Sequence, residues 1–246
     1  MLLTSNDMIY LAALIVLPLF DRVWFKKQLP QLKVNIGRVR FYVVTISILW
    51  SLGLLTMTLA ASNFLSVPIE TTTLSVDFRW QQILVIAIII AFLFLGVLGV
   101  RSIQKSPETA YQVLSKSQHA TSVMPKTNKE ERVFRLVSLS AGIWEEYVYR
   151  GIVFGLLLYA FGFWPALVGS SVLFGWLHWY LGLSHVFKTA LVGMFFATLY
   201  YHTGSLLLIM ILHFVIDLVS GAQYSTAYQT MMRAMPKPED LTKKSE

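Results

Sequence analysis

Residues 83–100 read ILVIAIIIAFLFLGVLGV, an unbroken apolar run without a charged, amide or hydroxyl side chain. A helix rises 1.5 Å per residue, so this run is close to the ~20 residues that cross the hydrocarbon core of a bilayer. Comparable runs recur before and after it. Hydropathy predicts about seven spans, near Met8 to Phe25, Phe41 to Ala61, Ile83 to Val100, Phe134 to Phe161, Trp164 to Trp179, Val186 to Tyr201 and Ser205 to Gly221. Composition agrees: 56% of the 246 residues are hydrophobic and 13% charged, about half the charged share of a soluble domain. Continuous runs favour helices over a membrane barrel, whose segments would be short and alternating. The expected fold is therefore all-α, a polytopic helical membrane protein.

Charge placement predicts an orientation. Of the 20 Lys and Arg residues, 18 fall on one side if the N-terminus lies outside and the C-terminus inside. They group as Arg22 to Arg40 after span one, Arg101 to Arg135 after span three, Lys188, and a tail set of Arg233, Lys237, Lys243 and Lys244. Arg79 in an outer loop and Arg150 inside a span are the exceptions. Such clustering marks cytoplasmic loops, so the net charge of +7 points to anionic lipid and not to nucleic acid. The first run has no basic leader and no A-x-A-like site, and reads as a retained anchor. Without cysteine, disulfides and thiolate chemistry are excluded. Three regions are expected: 1–133, three spans with a polar cytoplasmic connector over Ser102 to Glu131; 134–222, a helical core; and 223–246, a mobile cytoplasmic tail containing Pro236 and Pro238. No internal repeat is visible.

The ionisable residues inside spans are Glu145, Glu146, Arg150, His178, His213 and Asp217, all in the C-terminal half. Each costs about 2.5 to 3.5 kcal/mol at the bilayer centre, so such residues face one another or a wet cavity and mark function. Glu146 and Arg150 stand four apart with the acid first, the favourable order for a helical ion pair. Glu145 points about 100° away from Glu146 and is left free to act. Phe174 and His178 repeat the four-residue spacing on span five, as do His213 and Asp217 on span seven. With the expected topology, Glu145, His178 and Asp217 fall in the cytoplasmic half and His213 deeper, around one water-filled site.

These elements resemble the signature of the CAAX protease and bacteriocin-processing family, the type II CAAX prenyl endopeptidases and their bacterial relatives. EExxxR is Glu145, Glu146 and Arg150; FxxxH is Phe174 and His178; HxxxN/D is His213 and Asp217. Gly193 and Tyr201-His202-Thr203-Gly204-Ser205-Leu206 also look like the family's approach to its last histidine. The resemblance covers about residues 134–221. It implies an intramembrane endopeptidase in which Glu145 and His178 activate water while His213 and Asp217 stabilise the oxyanion. Prenyl-processing members carry Asn where this chain has Asp217, so a direct amide donor is missing there. Glu146 completes the implied catalytic set, with Arg150 and Phe174 in support. The implied partners are membrane lipid and a peptide or membrane-anchored, including prenylated, protein substrate. The implied location is a bacterial plasma membrane, with the site open to the cytoplasm.

Two chemistries fit these residues. Glu145 can act as a metal-free general base, or Glu145, His178 and His213 can hold Zn²⁺ with an open water position. No HExxH helix is present. A serine nucleophile is disfavoured: Ser140, Ser170 and Ser171 lie in spans, but small hydroxyl residues there usually serve packing, and no GxSxG elbow occurs. The bland readings are a bracing ion-pair cluster for Glu145, Glu146 and Arg150, and an interfacial histidine for His178 within the aromatic belt of Trp176, Trp179 and Tyr180. His119, His185 and His202 read as loop or interface residues, and Gly151 with Gly155 as close helix packing. Two rival functions remain: a non-catalytic immunity or scaffold protein acting against bacteriocins, and an ion- or proton-coupled transporter, for which no inverted repeat is seen.

Overall fold

The computed structural model describes residues 3–33, 35–67, 72, 74–117 and 121–235, the side chains of 33, 35 and 36 excepted. Every regular element among them is helical. In order they are α1 (Ser5–Gln28), α2 (Asn35–Ala61), α3 (Trp80–Lys105), α4 (Pro107–Lys116), α5 (Asn128–Glu146), a π-helical segment (Tyr147–Phe154), α6 (Gly155–Phe161), α7 (Phe163–Leu177), a 3-10 turn (His178–Leu181), α8 (Leu183–Thr203) and α9 (Leu206–Ala234). His119 and the tail residues Lys237, Lys243 and Lys244, together with Pro236 and Pro238, lie outside the described residues.

Five described helices are long and apolar enough to cross a membrane: α1, residues Gly37–Ala61 of α2, α3, α8 and α9. The two other expected spans have identifiable reasons to differ. α7 has only 15 residues, because the chain turns into the 3-10 geometry at His178 instead of continuing to Trp179. The rod from Asn128 to Phe161 begins polar and carries Glu145, Glu146 and Arg150 at its centre. The last helix departs in the opposite sense and runs past the expected end at Gly221 to Ala234. Large apolar side chains such as Ile90, Phe94, Phe187 and Leu191 face outward, a surface that bilayer would cover.

The element starts follow from local chemistry. Thr4 and Asp7 form a capping box on α1, and Asp7 Oδ1 also accepts the Ser66 N–H at 2.9 Å, tying the end of α2 to the start of α1. Ser106 caps α4, with Pro107 at its first position. Thr127 and Glu130 cap α5, and Glu130 pairs with Arg38 of α2 at 3.0 Å, both side chains buried. The expected polar connector thus contains one short helix and is anchored from two sides.

α9 is the central post, packed against α3, α4 and α5, while α7 lies along α8. One glycine lets α5 come close to α9. A Cβ at Gly142 of α5 would stand 2.9 Å from the Met210 carbonyl oxygen and 3.1 Å from the Phe214 nitrogen, so α5 and α9 touch backbone to side at that level. Gly142 lies one turn before Glu146, and Phe214 follows His213. Around the far end, Phe154, Phe196, Ala197, Tyr200, Leu206 and Ile209 close an apolar core beneath the polar groups.

Candidate active site

Glu145 and Glu146 end α5, and the chain then enters eight residues of π-helix that carry Arg150. A π segment widens the helix and changes the register of the side chains that follow, and it often occurs at functional sites. Arg150 is folded inward and 1% exposed, and its Nη1 donates to Glu146 Oε1 at 2.9 Å. The ion pair expected from the four-residue spacing therefore forms. Arg150 Nη2 donates to the Gly193 carbonyl of α8 at 3.3 Å, and its guanidinium lies 4.2 Å from the Phe174 ring centroid and 5.4 Å from that of Phe196. Such stacking suits a planar, weakly hydrated cation. A Cβ on Gly193 would meet Phe174 and the Ser171 backbone at 3.2 Å, so a larger residue here would press α8 against α7.

Glu146 serves two helices. The same Oε1 that takes Arg150 also lies 2.6 Å from His213 Nδ1 of α9, and the Glu146 side chain is fully buried. Sequence spacing pointed to the Arg150 contact alone. On the other side of the His213 ring, Nε2 stands 3.6 Å from Asp217 Oδ2. That is an ion-pair separation too long for a direct hydrogen bond, so Nε2 is not committed to Asp217 as a donor. Asp217 is 35% exposed, against 10% for the His213 side chain, and forms the outer wall.

His178 is the first residue of the 3-10 turn at the end of α7. Its Nδ1 lies 3.0 Å from the Phe174 carbonyl oxygen. A carbonyl only accepts, so Nδ1 carries the proton, and in the neutral ring Nε2 keeps its lone pair for a ligand or water. Phe174 is the common neighbour, edge-on to His178 at 5.1 Å and to His213 at 6.2 Å between centroids. The phenylalanine of the spaced pair thus separates two imidazoles and covers a guanidinium.

Glu145 differs from its neighbour. It is half-buried and, among the described residues, has no hydrogen-bond or ion-pair partner. It lies within electrostatic reach of His213, Glu146 and Arg150, and of Asp217 and Tyr180. His178 is likewise within reach of His213, Asp217 and Arg150. The fold therefore draws Glu145, Glu146, Arg150, His178, His213 and Asp217 into one cluster from α5, the π segment, the α7 turn and α9.

Residues 132–219 match the family described as type II CAAX prenyl endopeptidase Rce1-like. The matched segment contains all six groups. No curated protein and no solved structure matches the chain. The match covers residues 132–219 of the 246, and five described helices of the chain are long and apolar enough to cross a membrane.

Other sequence expectations within the matched segment can be followed in the structure. Tyr201 to Leu206 lie at the end of α8 away from His178, where Gly204 takes a φ of +62° and Arg79 and Gln82 both donate to the Thr203 carbonyl, so this stretch forms the turn that leads into α9 and His213. Trp176, Trp179 and Tyr180 lie against α1 instead of forming a separate belt: Trp176 Nε1 donates to the Ile15 carbonyl at 2.9 Å, and Arg22 lies 3.9 Å over Trp179. Among the described residues, no three His, Cys, Asp or Glu side chains are placed to hold a metal ion. His213 and His178 each have Nδ1 engaged, by Glu146 and by the Phe174 carbonyl, and their Nε2 atoms and the Glu145 carboxylate are not grouped closely enough to share a Zn²⁺ ion. Ser140 is occupied as the acceptor of Trp50 Nε1 at 3.0 Å, and Ser170 and Ser171 are buried at the α7–α8 contact.

Proposed function

We propose that the chain is an intramembrane endopeptidase that hydrolyses a peptide bond near the cytoplasmic membrane face, using water activated by Glu145 and His178. The observation that carries this reading is the contrast between adjacent carboxylates. Glu146 is fully buried and held by Arg150 and His213, whereas Glu145 is half-buried and unpartnered beside them. A general base must have a free lone pair within reach of water, and Glu145 meets that condition.

Each residue then has a stated role. Water sits between Glu145 and His178 Nε2. Its oxygen attacks the scissile carbonyl carbon while Glu145 takes its proton, and that proton is later delivered to the leaving amine. Charge gathers on the former carbonyl oxygen, and His213, protonated on both nitrogens, donates to it from Nε2 beside Asp217. Glu146 fixes the His213 ring through Nδ1, and Arg150 fixes Glu146. The substrate class is a membrane-anchored peptide, with a prenylated C-terminal CAAX segment as the form that the family match supports. In this reading seven spans cross the membrane, with the α5-to-α6 rod and the short α7 completed as spans by their neighbours. The N-terminus lies outside, the C-terminus inside, and the membrane is a bacterial plasma membrane.

The test uses purified full-length protein in lipid nanodiscs and an internally quenched farnesylated CAAX peptide. Wild-type protein is expected to cleave it and Glu145→Gln to lose turnover by at least about 10²-fold, the usual share of a positioned base. Undiminished cleavage by Glu145→Gln overturns the role of Glu145. Absence of cleavage by the wild type overturns the prenylated substrate class.

A further inference from the structure

Tyr180 is the third residue of the 3-10 turn that begins at His178. Its ring stacks on the His178 imidazole, with centroids 6.2 Å apart and planes 27° apart. Its other side meets Phe25 of α1 edge-on at 4.8 Å. The ring is thus held between His178 and α1. That hydroxyl lies within electrostatic reach of Glu145 and Asp217 on one side and Asp21 of α1 on the other. Among the described residues it has no hydrogen-bond partner.

The donor inventory of the chamber makes this placement informative. Arg150 gives Nη1 to Glu146 and Nη2 to Gly193, beneath the Phe174 ring. His178 gives Nδ1 to the Phe174 carbonyl, and His213 gives Nδ1 to Glu146. Glu145 and Asp217, when ionised, only accept. Of these imidazole nitrogens, His213 Nε2 is the one without a direct hydrogen bond that can donate to a developing oxyanion. Oxyanion sites stabilise that charge with several preorganised donors, and tyrosine hydroxyls are among the groups that serve. Tyr149 also neighbours Glu145, but it is packed with Val148, Val153 and Phe174 in the interior and its remaining electrostatic partners are Tyr10 and Arg150.

We infer that Tyr180 is a further catalytic residue, whose hydroxyl donates a hydrogen bond to the substrate carbonyl oxygen opposite His213 Nε2. This rests on the hydrolase reading above. The hydroxyl keeps its proton throughout; it strengthens one hydrogen bond as the carbonyl carbon becomes tetrahedral.

Tyr180→Phe tests it, because the variant keeps the ring that stacks on His178 and Phe25 and removes only the donor. In the nanodisc assay with the farnesylated peptide, kcat is expected to fall about 10²-fold, the usual effect of losing one oxyanion donor, with KM and melting temperature unchanged. Wild-type kcat in Tyr180→Phe overturns the inference, since a packing role predicts that result. Should Tyr180→Phe melt early, replacement of Tyr180 by a fluorinated tyrosine keeps shape and packing while making the hydroxyl more acidic. An altered kcat then supports the inference, and an unaltered one overturns it. Glu145→Gln is assayed alongside: if it too retains full turnover, the hydrolase reading fails, whereas a dead Glu145→Gln with a fully active Tyr180→Phe removes Tyr180 alone.

Discussion

Glu146 shows how much one buried carboxylate can organise. Its Oε1 receives both Arg150 and His213, so removing Arg150 leaves a fully buried carboxylate with His213 as its remaining partner among the described residues. Breaking a buried pair from one side costs about 3–5 kcal/mol, because the remaining charge stays desolvated. Arg150→Leu is therefore expected to lose stability of about that size in detergent unfolding, together with cleavage activity; an unchanged unfolding midpoint would count against the bridge. The six ionisable residues were legible in the sequence because lipid penalises each of them, and the Glu146–Arg150 pair because spacing alone implies it. The Glu146–His213 contact was not legible, since it joins residues 67 positions apart through tertiary packing. Tyr180 was hidden for a related reason: beside two tryptophans it resembles an interfacial residue until α1 is placed against it.

Among the elements, apolar length identified the helices well, since most described helices coincide with a predicted run to within a few residues at one or both ends. Three features escaped that signal. The π segment over Tyr147–Phe154 lies inside one continuous predicted run, and hydropathy does not sense hydrogen-bond register. α7 ends at Leu177 because the chain tightens at His178, and α9 continues to Ala234 because Tyr224 and Ala227 find buried positions that a hydropathy window reads only as a polar decline. Gly142 was equally silent. Its missing side chain lets α5 and α9 bring Glu146 and His213 together, so Gly142→Leu is expected to destabilise by about 1–3 kcal/mol, as overpacking does. It should also depress kcat through the displaced histidine. A Gly142→Leu protein with normal unfolding and normal turnover would show that the close approach is dispensable.

At the scale of the whole molecule, the membrane class was readable from composition, and five of the seven expected spans coincide with described helices of spanning length, whereas α7 and the polar start of α5 lack the length or hydropathy of an independent span. The proposed orientation rests on basic residues gathered on one side, and the natural absence of cysteine makes it directly measurable. Single cysteines at Thr4 and at Arg233 are expected to react with a membrane-impermeant thiol reagent from the outside and only after permeabilisation, respectively. The reverse pattern would invert the topology and place the site at the opposite membrane face.

The central claim is that an unpartnered Glu145 works as a base inside a cluster assembled by three separate parts of the chain. It is tested most directly by the membrane peptides of cells producing the wild-type protein compared with those producing Glu145→Ala at equal abundance. The account predicts newly formed termini of membrane-anchored proteins that occur with the wild type and vanish with the variant. Identical peptide populations in the two membranes would contradict it.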